Sequence, residues 1–393
     1  MAAPLISPDR LEEIRTEEPD RLVLIDVRNE EDFRAGTIPG AVRIPRSTLL
    51  SDDFSLAQAL ETSGKALRED SLIVLFCMSG IPSREPADRL CDQGYPVLLL
   101  DGGYGNWLLQ GMKKETGDTE KREQAEKSLR KRFRHEIMGK FVKAITDYEL
   151  LKPGDHIACC ISGGKDSMLM AMCFRELKRR NKIPFEVSYL CMDPGYSDTT
   201  LGMIQTNAAI LGIPLTVFRS GIFDAVDNIP KSPCYICARM RRGYLYRHAQ
   251  DLGCNKIALG HHYDDVIETT LMSILYSGQV QTMMPKLHST NFEGMELIRP
   301  LYLVRESDIK KWRDSNGLHF IRCACHFTDQ CSIEDENAGV SRRLEAKQLI
   351  AELKKTTPSV EGNIFRSMDN ICLSAVTGYK DRRGVRHSFL EDY

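Results

Sequence analysis

Short apolar runs, each about as long as one β-strand, alternate along this chain with stretches that have helical spacing. The runs lie at 21–28, 71–76, 96–103, 156–161, 185–193, 215–220 and 256–265. This alternation predicts parallel β-sheets covered by helices. The expected fold class is therefore α/β, and 393 residues are enough for two or three domains.

The second apolar run ends at a cysteine that a glycine-containing loop follows. Cys77 opens the sequence CMSGIPS, and a helix is predicted to begin near Ser83. Open α/β sheets bind ligands at the carboxyl ends of their strands. Loop N–H groups and a helix N-terminus at that place stabilise a thiolate or persulfide anion. Cys77 is therefore predicted to be a reactive cysteine.

Residues 1–112 resemble the rhodanese family of sulfurtransferases. The resemblance depends on DVRNEEDFRAGTIPGAVRIP at 26–45, on the Cys77 loop, and on GYPVLLLDGGYGNW at 94–107. It implies that Cys77 carries a persulfide. The persulfide sulfur would come from a donor such as a cysteine desulfurase and pass to an acceptor.

Two departures from the rhodanese pattern leave an alternative open. Thr37 stands where the family often has histidine, and Pro82 stands where it often has arginine. The nearby arginine of this chain, Arg84, comes one residue after the loop serine instead. A degenerate rhodanese that serves as a docking module is the alternative to an active one.

A second strand–loop–helix unit contains a glycine pair followed by lysine. The loop consists of Ser162, Gly163, Gly164, Lys165, Asp166 and Ser167. It follows the run at 156–161 and precedes the helical stretch MLMAMCFRELKRR at 168–180, which is the context that phosphate binding requires. Because the loop is shorter than the Walker pattern and has aspartate after the lysine, it does not indicate γ-phosphate transfer.

Each residue type in this loop suits a pyrophosphate. The two glycines let backbone N–H groups approach the phosphates closely. Ser162 and Ser167 can donate hydrogen bonds, Lys165 can neutralise charge on the leaving group, and Asp166 can hold Mg²⁺ or orient the loop.

The S-G-G-x-D-S loop resembles the PP-loop of the adenine nucleotide alpha hydrolase fold, which is a Rossmann-like domain. That resemblance implies cleavage of ATP between the α and β phosphates, with release of pyrophosphate and transfer of AMP to a substrate oxygen. The GHHYDD segment at a later strand end is predicted to lie beside the loop. Nucleotide, Mg²⁺ or cluster-side roles are predicted for Gly260, His261, Asp264 and Asp265. For His262, a structural hydrogen bond is an equal alternative.

Thirteen cysteines, in a chain whose start lacks a signal-peptide pattern, indicate thiol chemistry or metal ligation rather than disulfides. Cys234 and Cys237 form a C-x-x-C pair, and Cys323, Cys325 and Cys331 form a second group. Such a pair alone is compatible with redox, zinc or iron–sulfur chemistry. Packing roles are predicted for Cys91, Cys159, Cys160, Cys173, Cys191, Cys254 and Cys372.

Residues from about 125 to 370 resemble the TtcA family, the tRNA-cytidine 2-sulfurtransferases. The resemblance depends on the PP-loop with its preceding helix, on the C-x-x-C pair and its arginines, and on LGHHYDDVIETTLMSILYSG. In that family three cysteines ligate a [4Fe-4S] cluster and leave one iron without a protein ligand. The C-x-x-C pair matches the first two ligands. The third is Cys325 or Cys323, and Cys331 is the less favoured alternative.

Together these resemblances imply ATP-dependent, iron–sulfur-dependent thiolation of tRNA. ATP would adenylate the C2 oxygen of an anticodon-loop cytidine, and sulfide held on the cluster or as a cysteine persulfide would attack C2 and expel AMP. Two alternatives stay open: thiolation of uridine or a small metabolite, and a non-enzymatic iron–sulfur sensor or sulfur carrier. Predicted RNA contacts are Arg130, Lys131, Arg132, Arg134, Arg239, Arg241 and Arg242.

The domain organisation predicted is a rhodanese-like domain at 1–112, a basic helical linker at 113–145, a PP-loop thiolation domain at 146–370 and a tail at 371–393. Residues 1–115 carry 13 Lys+Arg against 20 Asp+Glu, a net charge of −7, so the remainder of this −2 chain is basic at +5. A basic half is compatible with a nucleic-acid partner.

Without a long apolar run, the chain is expected to be cytoplasmic and without a membrane partner; a homodimer is left open.

Overall fold

The computed structural model describes residues 2–117, 119–222, 233–321, 342–381 and 383–391, with the backbone alone at 233–239. Two separate sheets, one in each predicted domain, are parallel apart from one edge strand of the second. The predicted α/β class with two parallel-sheet domains is therefore confirmed.

The first sheet has the strand order β1-β5-β4-β2-β3 and is parallel throughout. Its strands are β1 (Leu5–Ile6), β2 (Leu22–Asp26), β3 (Val42–Arg43), β4 (Leu72–Phe76) and β5 (Val97–Leu100). Its helices are α1 (Pro8–Glu17), α2 (Glu30–Ala35), α3 (Arg46–Leu49), α4 (Leu56–Thr62), α5 (Arg84–Asp92) and α6 (Gly103–Lys114). Side chains of β2 alternate between two apolar clusters, one on each face, because successive residues of a strand point to opposite faces. A strand covered on both faces needs a nearly continuous apolar sequence, which β2 and β4 have.

The second sheet has the order β10-β11-β9-β6-β7-β8. Its strands are β6 (His156–Cys160), β7 (Glu186–Asp193), β8 (Leu215–Arg219), β9 (Lys256–Ala258), β10 (Lys286–His288) and β11 (Glu296–Ile298). The chain proceeds from β6 outward to β7 and β8 and then returns to β9 on the other side of β6. Ligands of open α/β sheets bind at such a reversal, outside the carboxyl ends of the strands. The loop after β6 lies at this position.

Helices accompany the second sheet and precede it. They are α7 (Thr119–Arg130), α8 (Lys140–Asp147), α9 (Lys165–Arg180), α10 (Asp198–Ile210), α11 (Pro233–Asp251), α12 (Tyr263–Ser277), α13 (Glu306–Ser315), α14 (Arg342–Thr356) and α15 (Val360–Ser367), with a π-helix at Arg134–Gly139. The helices of the segment predicted as a linker, 113–145, contribute buried side chains to the core that contains α9, among them Leu129, Ile137 and Phe141. The linker's limits stay a prediction.

The tail contains a hairpin of β12 (Gly378–Lys380) and β13 (Arg386–Ser388), with short 3₁₀ turns at Leu373–Ala375 and Phe389–Glu391. The packing role predicted for Cys372 is wrong: its side chain is exposed, because the described chain around it is exposed from 371 to 375. The buried positions predicted for Cys159, Cys160, Cys173, Cys191 and Cys254 are confirmed, and Cys91 is half-buried. Among the described helices, none is long and apolar enough to cross a membrane.

Candidate functional site

The PP-loop connects β6 to α9 and leaves the start of that helix open. Gly163 has φ = 83°, a conformation that favours glycine. A Cβ on Gly163 would also lie 2.5 Å from Ile204 Cγ1, so the packing around it excludes a side chain. Gly164 is the N-cap residue, and no described side chain caps the N–H groups of the first turn. Free N–H groups at the N-terminus of a 16-residue helix are suited to bind phosphate.

The two loop serines have different environments. The Ser167 hydroxyl is buried, donates to the Gly164 carbonyl at 3.0 Å, and accepts from the Ser162 backbone N–H at 3.2 Å. The Ser162 hydroxyl donates to the Ser167 hydroxyl oxygen at 3.2 Å, and Ser162 is exposed. Ser167 therefore closes the loop, while Ser162 faces the space in front of it.

Lys165 lies between two carboxylates. Its Nζ is 3.1 Å from Asp166 Oδ2 and 3.2 Å from Glu306 Oε1. Glu306 opens α13 and also contacts Lys347 at 2.9 Å and Lys310 at 3.2 Å. Burial alone would raise the pKa of Glu306, but the hydrogen bond from Lys347 and the charges of the three lysines lower this pKa far below its ordinary value. Glu306 is therefore an anion that holds Lys165 at the loop, and the sequence analysis gave it no role.

Asp166 has one oxygen that the described residues leave unsatisfied. Its Oδ1 is buried and has no hydrogen-bond partner among them, and His262 Nε2 lies 3.9 Å away. A buried carboxylate oxygen without a partner is costly unless a cation or a donor binds it. Carboxylate oxygens are the ligands that Mg²⁺ prefers. The donor set beside the loop therefore fits a nucleotide with its metal ion.

The GHHYDD segment packs directly against the PP-loop. A Cβ on Gly260 would lie 3.1 Å from the Ser167 backbone nitrogen. His262 is the N-cap residue of α12: its Nδ1 accepts from the Asp265 N–H at 3.4 Å, and its own N–H donates to Asp265 Oδ2 at 3.0 Å. The structure thus gives His262 a structural hydrogen bond, the second of its two predicted roles.

The two predicted acidic residues of this segment are engaged by neighbouring helices. Asp264 contacts Arg305 at 2.9 Å and accepts from the Glu306 N–H at 2.7 Å. Asp265 contacts Arg343 of α14 at 3.5 Å. These contacts connect α12, α13 and α14 around the loop. Binding roles for Asp264 and Asp265 toward nucleotide or Mg²⁺ stay predictions.

His261 is a half-buried imidazole at the same edge. Its Nδ1 has no hydrogen-bond partner among the described residues. Burial, and then the charge of Arg299, lowers its pKa to about 4. His261 is therefore neutral at physiological pH, which leaves its unpartnered nitrogen able to donate or to accept a hydrogen bond.

The cysteines predicted as cluster ligands lie where side chains are not described. Cys234 and Cys237 fall in the first turns of α11, within 233–239, and Cys323, Cys325 and Cys331 fall outside the described residues. Their described neighbours nevertheless lie at the edge that carries the loop. A Cβ on Gly163 would lie 2.7 Å from Ile321 Cδ1, and Arg241 donates to the Tyr196 hydroxyl at 2.5 Å, just beyond the carboxyl end of β7.

The basic residues predicted to contact RNA differ in their availability. Lys131, Arg132 and Arg134 are exposed, whereas Arg130 lies 3.7 Å from Glu176. Arg241 is engaged with Tyr196. The side chain of Arg239 lies outside the described part of the chain.

In the first domain, Cys77 lies at the end of β4 in a cradle of donors. Its Sγ accepts from the Gly80 N–H at 3.1 Å and from the Ser83 hydroxyl at 3.2 Å. Burial raises the pKa of Cys77, and these hydrogen bonds oppose that rise. Thr37 donates to Asp26 at 2.7 Å and so belongs to the buried Asp26–Arg28 ion pair. The cradle can stabilise a sulfur anion even without the loop arginine.

Substitution Ser83→Ala is expected to slow the reaction of Cys77 with an alkylating reagent about 10-fold near neutral pH, because a hydrogen bond to a charged acceptor contributes about 1.5–3 kcal/mol. The pH dependence of alkylation should also shift upward. Measurement of alkylation rates against pH in the wild type and the variant checks both effects. Ser79→Ala is the matched control, and equal rates in the Ser83 variant and the wild type would contradict the role of the hydroxyl.

Comparisons with known proteins identify relatives of both halves. Residues 130–326, half of the chain, match the PP-loop domain family, and residues 7–110 match the rhodanese-like domain family. A tRNA-cytidine(32) 2-sulfurtransferase of Coxiella burnetii is 34% identical over 254 residues, 63% of this chain and 92% of that protein. One of Anaeromyxobacter dehalogenans is 32% identical over 243 residues, 61% and 80% of the two chains. Both resemblances stated from the sequence are confirmed.

One solved structure that this chain resembles is the U34-tRNA thiolase NcsA from Methanococcus maripaludis with its [4Fe-4S] cluster. It is 21% identical, and the match covers 59% of this chain and 76% of NcsA with a TM-score of 0.47.

Proposed function

This chain belongs to the tRNA-cytidine(32) 2-sulfurtransferase family, and we infer that it uses ATP to replace the C2 oxygen of a tRNA cytidine with sulfur. The observation that carries this proposal is the open N-terminus of α9 at the reversal of strand order, with Lys165 held beside it. A pyrimidine carbonyl oxygen leaves poorly, so its replacement by sulfur requires prior activation. Adenylation turns this oxygen into part of AMP, which is a good leaving group.

Each group of the PP-loop would have a separate role in this activation. The first N–H groups of α9 would bind the pyrophosphate part of ATP, and Lys165 would neutralise the charge that develops on it as the bond between the α and β phosphates breaks. Asp166, with its unpartnered oxygen, would hold Mg²⁺. The exposed Ser162 hydroxyl would donate to a phosphate oxygen.

We propose that Cys234, Cys237 and either Cys325 or Cys323 hold a [4Fe-4S] cluster next to the loop. Family membership and the positions of Ile321 and Arg241 at the loop edge support this proposal. When bound by three cysteines, such a cluster supplies one iron with an open position for a sulfur ligand.

Cys77 would be loaded with a persulfide by a cysteine desulfurase, and the rhodanese-like domain would pass this sulfur to the thiolation site. The hydrogen bonds from Gly80 and Ser83 support a leaving thiolate at Cys77. The exposed side chains of Lys131, Arg132 and Arg134 would contact tRNA phosphates. Binding through phosphates predicts that the affinity for tRNA falls steeply with salt.

The test is anaerobic reconstitution with iron and sulfide, followed by incubation with unmodified tRNA, ATP, Mg²⁺ and sulfide as the sulfur source. Mass spectrometry of the digested tRNA is expected to show 2-thiocytidine when ATP is present and none when it is withheld. Iron and acid-labile sulfide, measured in the same samples, should fall in a Cys234→Ser variant. Thiouridine as the product would identify uridine as the base that is modified. If the reconstituted, iron-loaded protein forms no thionucleoside at all, the result favours a non-enzymatic iron–sulfur sensor or sulfur carrier.

A further inference from the structure

The two domains meet along a pair of helices that run in the same direction. A Cβ on Gly105, near the start of α6, would lie 3.4 Å from Thr199 Cγ2, near the start of α10. A Cβ on Gly202, one turn further along α10, would lie 2.9 Å from Leu109, one turn further along α6. Because the contacts advance together along both helices, α6 and α10 are parallel.

The interface between these helices is apolar and buried. It consists of Leu109, Met112, Met203 and Ile210, each at most 5% exposed. Asn207 of α10 also donates to the His319 carbonyl at 2.9 Å, just before the segment that carries Cys323. Two domains keep one arrangement when the interface between them is large and apolar, and the buried side chains of this interface are apolar.

Parallel packing has a geometric consequence for the two reactive loops. In a parallel α/β sheet, the helix that follows a strand begins at that strand's carboxyl end. The start of α6 lies on the Cys77 loop: the Tyr104 N–H donates to the Cys77 carbonyl at 2.8 Å, and the Gly105 N–H donates to the Met78 carbonyl at 2.9 Å. The start of α10 follows β7, which is parallel to its neighbour β6. The PP-loop follows the carboxyl end of β6. The Cys77 loop and the PP-loop therefore open toward the same side of the molecule.

One helix contacts the surroundings of both loops. Thr199 of α10 meets Gly105 beside the Cys77 loop, and Ile204 meets Gly163 of the PP-loop. These two residues are separated by about 7.5 Å of helix rise, at 1.5 Å per residue. Ile321 packs against the interdomain cluster and also against Gly163. The interface is thus continuous with the nucleotide loop.

We propose that the α6–α10 interface is a fixed dock that directs sulfur from Cys77 to the thiolation site of the same chain. This inference rests on the proposed function. In the transfer, an acceptor thiolate attacks the outer sulfur of the Cys77 persulfide. The S–S bond at Cys77 breaks, a new S–S bond forms on the acceptor, and Cys77 leaves as a thiolate that Gly80 and Ser83 stabilise. No net oxidation or reduction occurs.

A dock within one chain raises the effective concentration of the donor sulfur at its own acceptor, whereas free domains would exchange sulfur between molecules.

The test mixes two full-length reconstituted variants. Cys77→Ala lacks the sulfur-carrying cysteine, and Lys165→Ala lacks the lysine of the PP-loop. Sulfur is supplied by cysteine and a cysteine desulfurase, together with a reductant that provides the two electrons needed to convert persulfide sulfur to the thione, and 2-thiocytidine in tRNA is measured. Each variant alone, and also the equimolar mixture, should stay at background. A mixture that clearly exceeds both variants alone would overturn the proposal, as would an active Cys77→Ala variant.

Free sulfide as the sulfur source separates this proposal from the proposed function. With sulfide, the Cys77→Ala variant should thiolate tRNA as the wild type does, since the relay is bypassed. If the wild type itself forms no 2-thiocytidine from sulfide and ATP, the proposed function fails. If the wild type does form it, a failure of the mixing prediction concerns the dock alone.

The interface itself is tested by Gly202→Leu, which places a side chain against Leu109. Desulfurase-driven thiolation is expected to fall about 10-fold or more as the effective concentration drops. Sulfide-driven thiolation and the loading of Cys77 with persulfide should not change. Gly111→Leu is the matched control, because its Cβ would meet no atom within 4 Å although it lies on α6. An equal fall in both assays would assign Gly202 to the folding of the second domain and would remove the dock.

Discussion

Substitution Lys165→Ala is expected to lower ATP-dependent thiolation of tRNA by about 10²- to 10³-fold, the usual effect of removing one group that stabilises developing charge. Lys165 is the ammonium group that Glu306 and Asp166 hold at the open end of α9. Without it, the pyrophosphate would leave with its charge less well neutralised. The rate of 2-thiocytidine formation and the exchange of pyrophosphate into ATP should therefore fall together. Both are measured with the reconstituted protein.

The matched control for this prediction is Lys178→Ala in the last turn of the same helix. Lys178 is exposed and lies about 20 Å along α9 from Lys165, at 1.5 Å of rise per residue. Its removal should leave both rates unchanged. A Lys165 variant that retains pyrophosphate exchange would contradict the assignment of this lysine to the adenylation step. The iron content of both variants should equal that of the wild type, since neither lysine is a cluster ligand.

The sequence analysis predicted the strands, the Cys77 loop and the PP-loop because their signals are local. A strand buried on both faces needs a nearly continuous apolar run, and β2, β4 and β6 each have one. The PP-loop is recognised because Gly163 and Gly164 lie between a strand and a helix, the one context in which its phosphate chemistry works. Gly163 must be glycine for two separate reasons, its positive φ and its contact with Ile204.

The surroundings of the PP-loop were not predictable in the same way. Glu306 and Lys347 lie on amphipathic helices, where charged residues usually face solvent, and nothing local distinguishes these two from their neighbours. Glu306 reaches Lys165, and Lys347 reaches Glu306, only because α13 and α14 pack beside the GHHYDD helix. Contacts that depend on tertiary packing leave no periodic pattern in the sequence.

The basic segment before the PP-loop gave a mixed signal. Its many charged residues predicted a linker and an RNA contact, and Lys131 and Arg132 are indeed exposed. Apolar residues recur within it at intervals of four, and all of them are buried: Ala125, Leu129, Phe133, Ile137 and Phe141. Apolar residues at that interval form one face of a helix, and such a face packs on a core. The spacing of the apolar residues therefore predicts a packed helix, although the charged residues of the segment suggested a linker.

Substitution Glu306→Gln is expected to lower thiolation about 10- to 100-fold and to destabilise the second domain at neutral pH by about 2 kcal/mol, since it removes the anion shared by three lysines. Glutamine keeps the size of the side chain but leaves Lys165, Lys310 and Lys347 to repel one another. Lys165 would then lose its fixed position at the loop. The activity loss should appear in pyrophosphate exchange as well, which places the effect in the adenylation step.

The stability effect of Glu306→Gln should become smaller in acid, because the folded protein lowers the pKa of Glu306. The pKa of Glu306 in the folded protein lies well below its ordinary value of 4.5, so the folded state favours the ionised form. The stabilisation is fully present above pH 4.5 and is lost as the pH falls below that value toward the folded pKa. Urea unfolding at neutral pH and again below pH 4.5 should show a difference between wild type and variant that narrows in acid. Glu352→Gln, which breaks a 2.7 Å pair with Lys355 whose side chains are about two-thirds exposed, should change little at either pH. An equal loss from both substitutions at neutral pH would mean that Glu306 is only one more surface ion pair.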